Sequence, residues 1–334
     1  MESERFDAID VIKAAAIVAV VFTHSVLTPS MELYSSWDRL LGRGWVSFHV
    51  PSFLAISGFL YCSRTGVAWP RVLERLARVL VPYGVASIVA LLLGDVPTQG
   101  PGFLERLATG NTQGHYYYVV LIAFFIPFVW LMSRMKTSWV FAIFLVLLAY
   151  PLLSHHFHEL RFSESQLVRM RNPVYMGVYF VGGWVLHLAL PRIRGLAGSW
   201  GRERFWLGLT LIGGALVAFS IFGPFGMRPW QAQLADRMIY TAGVLILLTS
   251  LSVALAATLS PARFPPRFIR FVSRATYTIY LYHFFFIYPM RSQTLHWSPP
   301  LRILAVAGVA LAGGCGVAYL SQRLMGRWSR WIAG

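Results

Sequence analysis

Residues 9–24 of the chain read IDVIKAAAIVAVVFTH and lie within the first of several long apolar runs. About twenty apolar residues in a helix cross a bilayer. This run differs from an ordinary membrane span because it contains three ionisable side chains, Asp10, Lys13 and His24. A central Lys or Asp costs roughly 2.5–3.5 kcal/mol on scales of membrane insertion, whereas a Val or Ile favours insertion by only about 0.3–0.6 kcal/mol. The run therefore predicts a membrane helix that carries functional groups.

The composition of the whole chain agrees with a membrane protein. Of its 334 residues, 57% are apolar and 13% are charged, which excludes an ordinary soluble globule and intrinsic disorder. The sequence predicts an all-α fold, a polytopic membrane bundle of about ten transmembrane helices that forms a single domain, 1–334. The apolar runs cover residues 8–28, 45–63, 79–96, 115–133, 138–154, 173–190, 205–223, 237–259, 275–291 and 300–320.

Basic residues are distributed unevenly between the two sides of this predicted bundle. The net charge is +16. The basic residues lie in short clusters between apolar runs, a pattern that indicates how a membrane protein is oriented rather than nucleic-acid binding. The terminal tails and the even-numbered connections carry 18 of the 29 Lys and Arg residues, the odd-numbered connections carry 10, and Lys13 lies in the first run. The excess predicts that both termini are cytoplasmic.

The three ionisable residues of the first run share one face of the predicted helix. At 100° per residue, Lys13 and His24 lie within about 20° of each other, and Asp10 lies about 40° from His24. One interpretation is an ion pair of Asp10 with Lys13 near the cytoplasmic end and a structural interior histidine. The other is a polar file that faces the interior of the bundle and takes part in chemistry.

This spacing of an acidic residue, a basic residue and a histidine resembles the opening motif of the acyltransferase-3 family of bacterial integral-membrane acyltransferases, which modify surface glycans. The family more often has Arg and Gly where this chain has Lys13 and Ala14. Later segments resemble family motifs in the same order: SFHVPSFLAISGFLYC with Ser57, RVLERLARVLVPY from Arg71, GHYYYVVL from Gly114, and RATYTIYLYHFFF with Tyr280 and His283.

The resemblance implies an O-acyltransferase that takes an acyl group, most often acetyl, from cytosolic acyl-CoA. His24 is the candidate general base, because a neutral imidazole can remove the proton of an attacking hydroxyl. Ser57, Tyr280 or His283 could donate to the oxyanion, although each has a structural alternative as a helix contact, an interfacial aromatic or an interior hydrogen bond. Asp10 lies too far along the helix, by about 21 Å, to orient His24, so the sequence does not name the orienting group.

Arg71, Arg75 and Arg78 follow the spacing i, i+4, i+7 and form one stripe of a predicted amphipathic segment. We call these three residues the arginine stripe. A stripe at this position can anchor the bundle to anionic lipid, or it can bind the phosphates of acyl-CoA, since guanidinium groups present paired donors to phosphate oxygens. The resemblance favours acyl-CoA, with Lys13 as a further cationic contact along the path to His24.

The resemblance implies a bacterial cytoplasmic (inner) membrane location, membrane lipids around the bundle, and a sugar hydroxyl of a cell-surface or lipid-linked glycan as acceptor. No metal is predicted, although the histidines of SHHFHE, residues 154–159, make one conceivable. A proton-coupled transporter or flippase for a glycan precursor is the alternative, because intramembrane ionisable residues also form transport paths.

Overall fold

A computed structural model describes residues 7–26, 48–62, 66–94, 102–156, 172–222, 234–258 and 265–332. Within these ranges the secondary structure is helical, without strands. The helices are α1 (Asp7–Ser25), α2 (His49–Tyr61), α3 (Trp69–Leu92), α4 (Phe103–Thr109), α5 (Tyr117–Met132), α6 (Thr137–His156), α7 (Pro173–Ser199), α8 (Arg202–Phe222), α9 (Leu234–Thr258), α10 (Arg267–Tyr282), α11 (Phe284–Gln293), α12 (Pro299–Met325) and α13 (Ser329–Ile332).

Each of the ten predicted runs overlaps at least one of these helices. The prediction of an all-helical fold is confirmed for the described residues, and this fold is consistent with a helical membrane protein. Within the described ranges, α1, α3, α7 and α12 are long and apolar enough to cross a bilayer. Shorter apolar helices cover 49–61, 117–132, 137–150 and 238–253. Ten crossings and cytoplasmic termini stay predictions.

Two helix boundaries differ from the sequence-based expectation. Helix α3 begins at Trp69, ten residues before the predicted run, so the arginine stripe lies on the first turns of the same helix. Pro70 occupies the first helical turn, where its missing N–H removes no helical bond. The predicted ninth run is divided at His283, which ends α10 and precedes α11.

Helix α1 lies in the interior of the bundle, where it contacts α2, α9, α10, α11 and α12. Its apolar side chains are closely packed, and Ile17 and Val21 are completely buried. At its beginning, Asp10 is 9% exposed and accepts a hydrogen bond of 2.6 Å from the Ser273 hydroxyl on α10. The helix that carries the ionisable residues is therefore held by protein contacts along its length.

Helices α2 and α7 cross with their backbones in close contact. An added Cβ at Gly58 would lie 1.8 Å from the Phe180 carbonyl oxygen, and one at Gly183 would lie 1.8 Å from the Ala55 carbonyl oxygen. Such reciprocal glycine contacts let membrane helices approach closely and gain van der Waals contact. The glycine of the Ser57-Gly58-Phe59 motif therefore has a packing role, which brings α2 against α7.

Replacing Gly58 by Ala is expected to destabilise the protein by about 3 kcal/mol or more, because overpacking a close contact displaces backbone rather than a flexible side chain. The thermal unfolding midpoint in detergent measures the loss. Gly208→Ala on α8 is the matched control, since a Cβ there has no neighbour within 4 Å. Equal midpoints for the two variants would contradict the close crossing.

Candidate active site

Three imidazole rings meet at one level of the bundle, and we call His24, His115 and His283 the histidine cluster. The ring centroid of His24 lies 5.5 Å from that of His115 and 5.4 Å from that of His283, and the latter two are 4.7 Å apart. His115 is 2% exposed and His283 is fully buried, whereas His24 is partly exposed. The cluster joins two residues that the sequence singled out with one, His115, that it did not.

His115 precedes α5, and its position depends on a tight turn. Gly110 ends α4 with φ of +71°, a left-handed conformation that glycine adopts without a steric penalty. A Cβ at Gly110 would also lie within 3.0 Å of the backbone of Tyr116 and Tyr117. The segment between α4 and α5 is therefore folded tightly against the start of α5, which directs His115 into the bundle.

The carbonyl oxygen of Tyr280 is a hydrogen-bond acceptor for both buried histidines. His115 Nε2 lies 3.2 Å from it, and His283 Nδ1 lies 2.8 Å from it and 3.1 Å from the Ile279 carbonyl oxygen. The Tyr280 hydroxyl in turn donates to the His115 carbonyl oxygen. These reciprocal bonds fix the position of His115 relative to α10.

Because a carbonyl oxygen can only accept, the ring nitrogens that face Tyr280 must carry the protons. In the neutral rings this leaves a lone pair on His115 Nδ1 and on His283 Nε2. Both of these atoms are buried and have no hydrogen-bond partner among the described residues. A neutral His283 in this tautomer therefore accepts hydrogen bonds inside the cluster, whereas donation to an oxyanion would require the imidazolium.

Aromatic rings enclose the histidine cluster. Phe284, the first residue of α11, stacks on His115 with centroids 4.2 Å apart and an interplanar angle of 6°. Its ring also lies 4.8 Å from His24 and 4.8 Å from His283. The helix break at His283 thus places in the cluster both the imidazole of His283 and the apolar ring of Phe284. Apolar surroundings strengthen the electrostatic interactions between polar atoms.

Tyrosines connect the histidine cluster with the part of the bundle near α3. The ring of Tyr280 stacks with that of Tyr277 at 6.4 Å and meets that of Tyr118 at 5.5 Å. Tyr277 donates to the Val79 carbonyl oxygen on α3 at 2.6 Å, and Tyr118 lies near Ser57 on α2. Ser57, a predicted site residue, therefore lies beside the tyrosines that lead to the cluster.

The arginine stripe differs in environment from one residue to the next. The Arg75 guanidinium lies over the Tyr61 ring, 4.7 Å from its centroid, and its buried Nη1 has no hydrogen-bond partner among the described residues. Arg78 pairs with Glu74 one turn earlier on the exposed face, and Arg71 is exposed. Arg75 is thus the member of the stripe that is held in place and still offers a donor.

The start of α3 is fixed to the segment after α5. The backbone N–H of Val67 donates to the Ser133 hydroxyl at 3.0 Å, and Arg134 donates to the Val67 carbonyl oxygen at 3.0 Å. Arg134 also lies over the Trp130 ring, 4.3 Å from its centroid. These contacts position the helical turns that carry the arginine stripe.

The other predicted residues lie nearer the beginning of α1. Asp10 is bonded to Ser273, so one of its oxygens holds α1 against α10, and Lys13 is partly buried one turn further on. Among the described residues no cluster of His, Cys, Asp and Glu has the arrangement of a metal site. His155 and His156 end α6, and His158 lies outside the described residues.

A family model described as an acyltransferase domain, Acyl_transf_3, matches residues 6–319, which is nearly the whole chain. The chain belongs to the acyltransferase-3 family. No curated protein and no solved structure matches it. The matched region of this acyltransferase includes the histidine cluster and the arginine stripe.

Proposed function

We propose that this acyltransferase transfers an acyl group, with acetyl as the expected group, from cytosolic acyl-CoA to a hydroxyl of a cell-surface or lipid-linked sugar. The observation that carries the proposal is the series of contacts from α3, the helix of Arg75, through Tyr277 and Tyr280 to His115 of the histidine cluster. It joins a cationic site suited to phosphate with a buried site suited to proton transfer.

In the proposed step, His24 acts as the general base. The acceptor oxygen attacks the thioester carbonyl carbon while its proton passes to a neutral nitrogen of His24, and a C–O bond forms. The tetrahedral intermediate then expels the thiolate of CoA, the C–S bond breaks, and the imidazolium returns its proton to sulfur. The products are the sugar ester and free CoA thiol, and His24 is again neutral.

The length of α1 matches the reach of the donor. Lys13 and His24 are eleven residues apart, or about 16 Å along a helix, which is comparable to an extended pantetheine arm. A nucleotide whose phosphates bind Arg75, with Lys13 as a second cation, would therefore present its thioester at the level of His24. Ser57 is the hydroxyl donor that we assign to the oxyanion, since it lies near Tyr118, whose ring contacts that of Tyr280. The Tyr280 hydroxyl already donates its one proton to the His115 carbonyl oxygen.

The proposed setting is a bacterial cytoplasmic (inner) membrane, with both termini and the arginine stripe on the cytoplasmic side. Membrane lipids surround the bundle, and the acceptor glycan approaches from the opposite face. No resident metal is needed for the step, because proton transfer and oxyanion stabilisation are assigned to side chains of the chain itself.

Purified protein in lipid nanodiscs, supplied with acetyl-CoA, tests this function directly. We expect slow release of free CoA thiol with water as the acceptor, and no release from protein that has been heat-unfolded. A transporter would bind no acetyl-CoA and release no thiol. Mass spectrometry of surface polysaccharide from cells with and without the protein should show an acyl group that disappears with it, and an unchanged polysaccharide would contradict the assigned acceptor.

A further inference from the structure

The histidine cluster contains two buried lone pairs on rings whose N–H groups both face the Tyr280 carbonyl oxygen. His115 and His283 both direct their N–H groups to the Tyr280 carbonyl oxygen, so His115 Nδ1 and His283 Nε2 remain as acceptors. Neither atom has a hydrogen-bond partner among the described residues. A buried acceptor that stays unsatisfied destabilises the folded protein, so a site with two of them is suited to a ligand that donates.

The chemistry of the substrates decides which ligand this is. A thioester carbonyl only accepts hydrogen bonds and cannot satisfy either lone pair. A sugar offers hydroxyl groups on adjacent carbons, each with a proton to donate. The ring centroids of His115 and His283 are 4.7 Å apart, and each lies about 5.5 Å from the ring centroid of His24. This separation suits two neighbouring hydroxyls of one sugar ring.

We propose that His115 and His283 form a paired acceptor site for a vicinal diol of the acyl acceptor, which holds a third hydroxyl of the same sugar ring beside His24. The inference rests on the proposed function and specifies its acceptor class. The step itself is unchanged: the proton of the attacking third hydroxyl passes to His24, while the two hydroxyls of the diol keep their protons and their hydrogen bonds to His115 and His283. Phe284, stacked on His115, holds that ring in the orientation that the site requires.

Nitrogen-15 NMR of histidine side chains in the intact protein tests the site without requiring turnover. We expect His283 to carry its proton on Nδ1 and His115 on Nε2. Titration with cis-1,2-cyclohexanediol should shift the two unprotonated nitrogens together. The isomer cis-1,4-cyclohexanediol, which has the same composition but separated hydroxyls, should bind at least about fivefold more weakly, the equivalent of one hydrogen bond.

His115→Phe keeps a ring stacked on Phe284 and removes the lone pair, so it should abolish the preference for the 1,2-isomer. His296→Phe, an exposed position, is the control and should keep the preference. Reversed tautomers, or equal binding of the two isomers by the unmodified protein, would overturn the paired site. Thiol release from acetyl-CoA separates failure of the proposed function from failure of the diol site. The absence of thiol release contradicts the proposed function. Thiol release together with equal binding of the two diol isomers contradicts only the diol site.

Discussion

Substitution of His24 by Ala is expected to lower the rate of acyl transfer by about 10²- to 10⁴-fold, the contribution typical of a general base. The acceptor hydroxyl would then have no side chain that removes its proton as it attacks. His24 is the partly exposed member of the histidine cluster, whereas His115 and His283 have one nitrogen each committed to the Tyr280 carbonyl. The expected loss therefore falls on the catalytic rate constant rather than on acyl-CoA binding.

The measurement is ester formation and thiol release by purified protein, with the unfolding midpoint as the test of folding. His24→Gln preserves a polar side chain of similar length and should be as slow as His24→Ala. His296→Ala, at an exposed histidine, should retain full activity. Turnover of His24→Ala within threefold of the unsubstituted protein would remove this residue from the mechanism.

Substitution of Arg75 by Ala is expected to raise the KM for acyl-CoA by about 10- to 100-fold, since a hydrogen bond to a charged group contributes about 1.5–3 kcal/mol. Arg75 is held over Tyr61 and has a buried guanidinium nitrogen without a partner among the described residues. Arg78 is already paired with Glu74, so Arg78→Ala should have a much smaller effect. Combining Arg78→Ala with Arg75→Ala should raise the KM for acyl-CoA further.

Initial rates at varied acyl-CoA and varied acceptor separate a binding defect from structural damage. Arg75→Lys retains the charge without the planar donor pair and should give an intermediate KM. An Arg75→Ala protein whose KM rises equally for both substrates would indicate damage to the bundle. If Arg78→Ala were the more defective variant, the contact with Tyr61 would not mark the phosphate site.

The order and the approximate positions of the helices were predictable because apolar runs of spanning length dominate the sequence. The predicted start of α3 is too late because the low hydropathy of the arginine stripe is typical of a connection between membrane helices. Arg is nevertheless a good helix former, and Pro70 favours a helical first turn. The break at His283 has no such signal, since α10 and α11 form one apolar run.

The candidate site was predictable only in part. Motif and spacing indicate His24 and His283 as candidates. His115 lies in the GHYYYVVL segment, where the sequence does not mark it as a neighbour of the other two histidines. The three rings belong to segments about 90 and 170 residues apart in sequence, and their meeting depends on tertiary packing. The role of the Tyr280 main chain was also hidden, because a backbone carbonyl has no residue-type signature.

That the common acceptor is a main-chain oxygen determines how the centre responds to mutation. Replacing Tyr280 by Phe would remove the hydroxyl that donates to the His115 carbonyl, yet the oxygen that receives both imidazole protons would remain. The proton positions of the two rings therefore depend on the path of the main chain at Tyr280, with the Ile279 carbonyl oxygen as a second acceptor for His283. A substitution at this position that leaves the main chain in place would therefore keep the two buried ring nitrogens as acceptors.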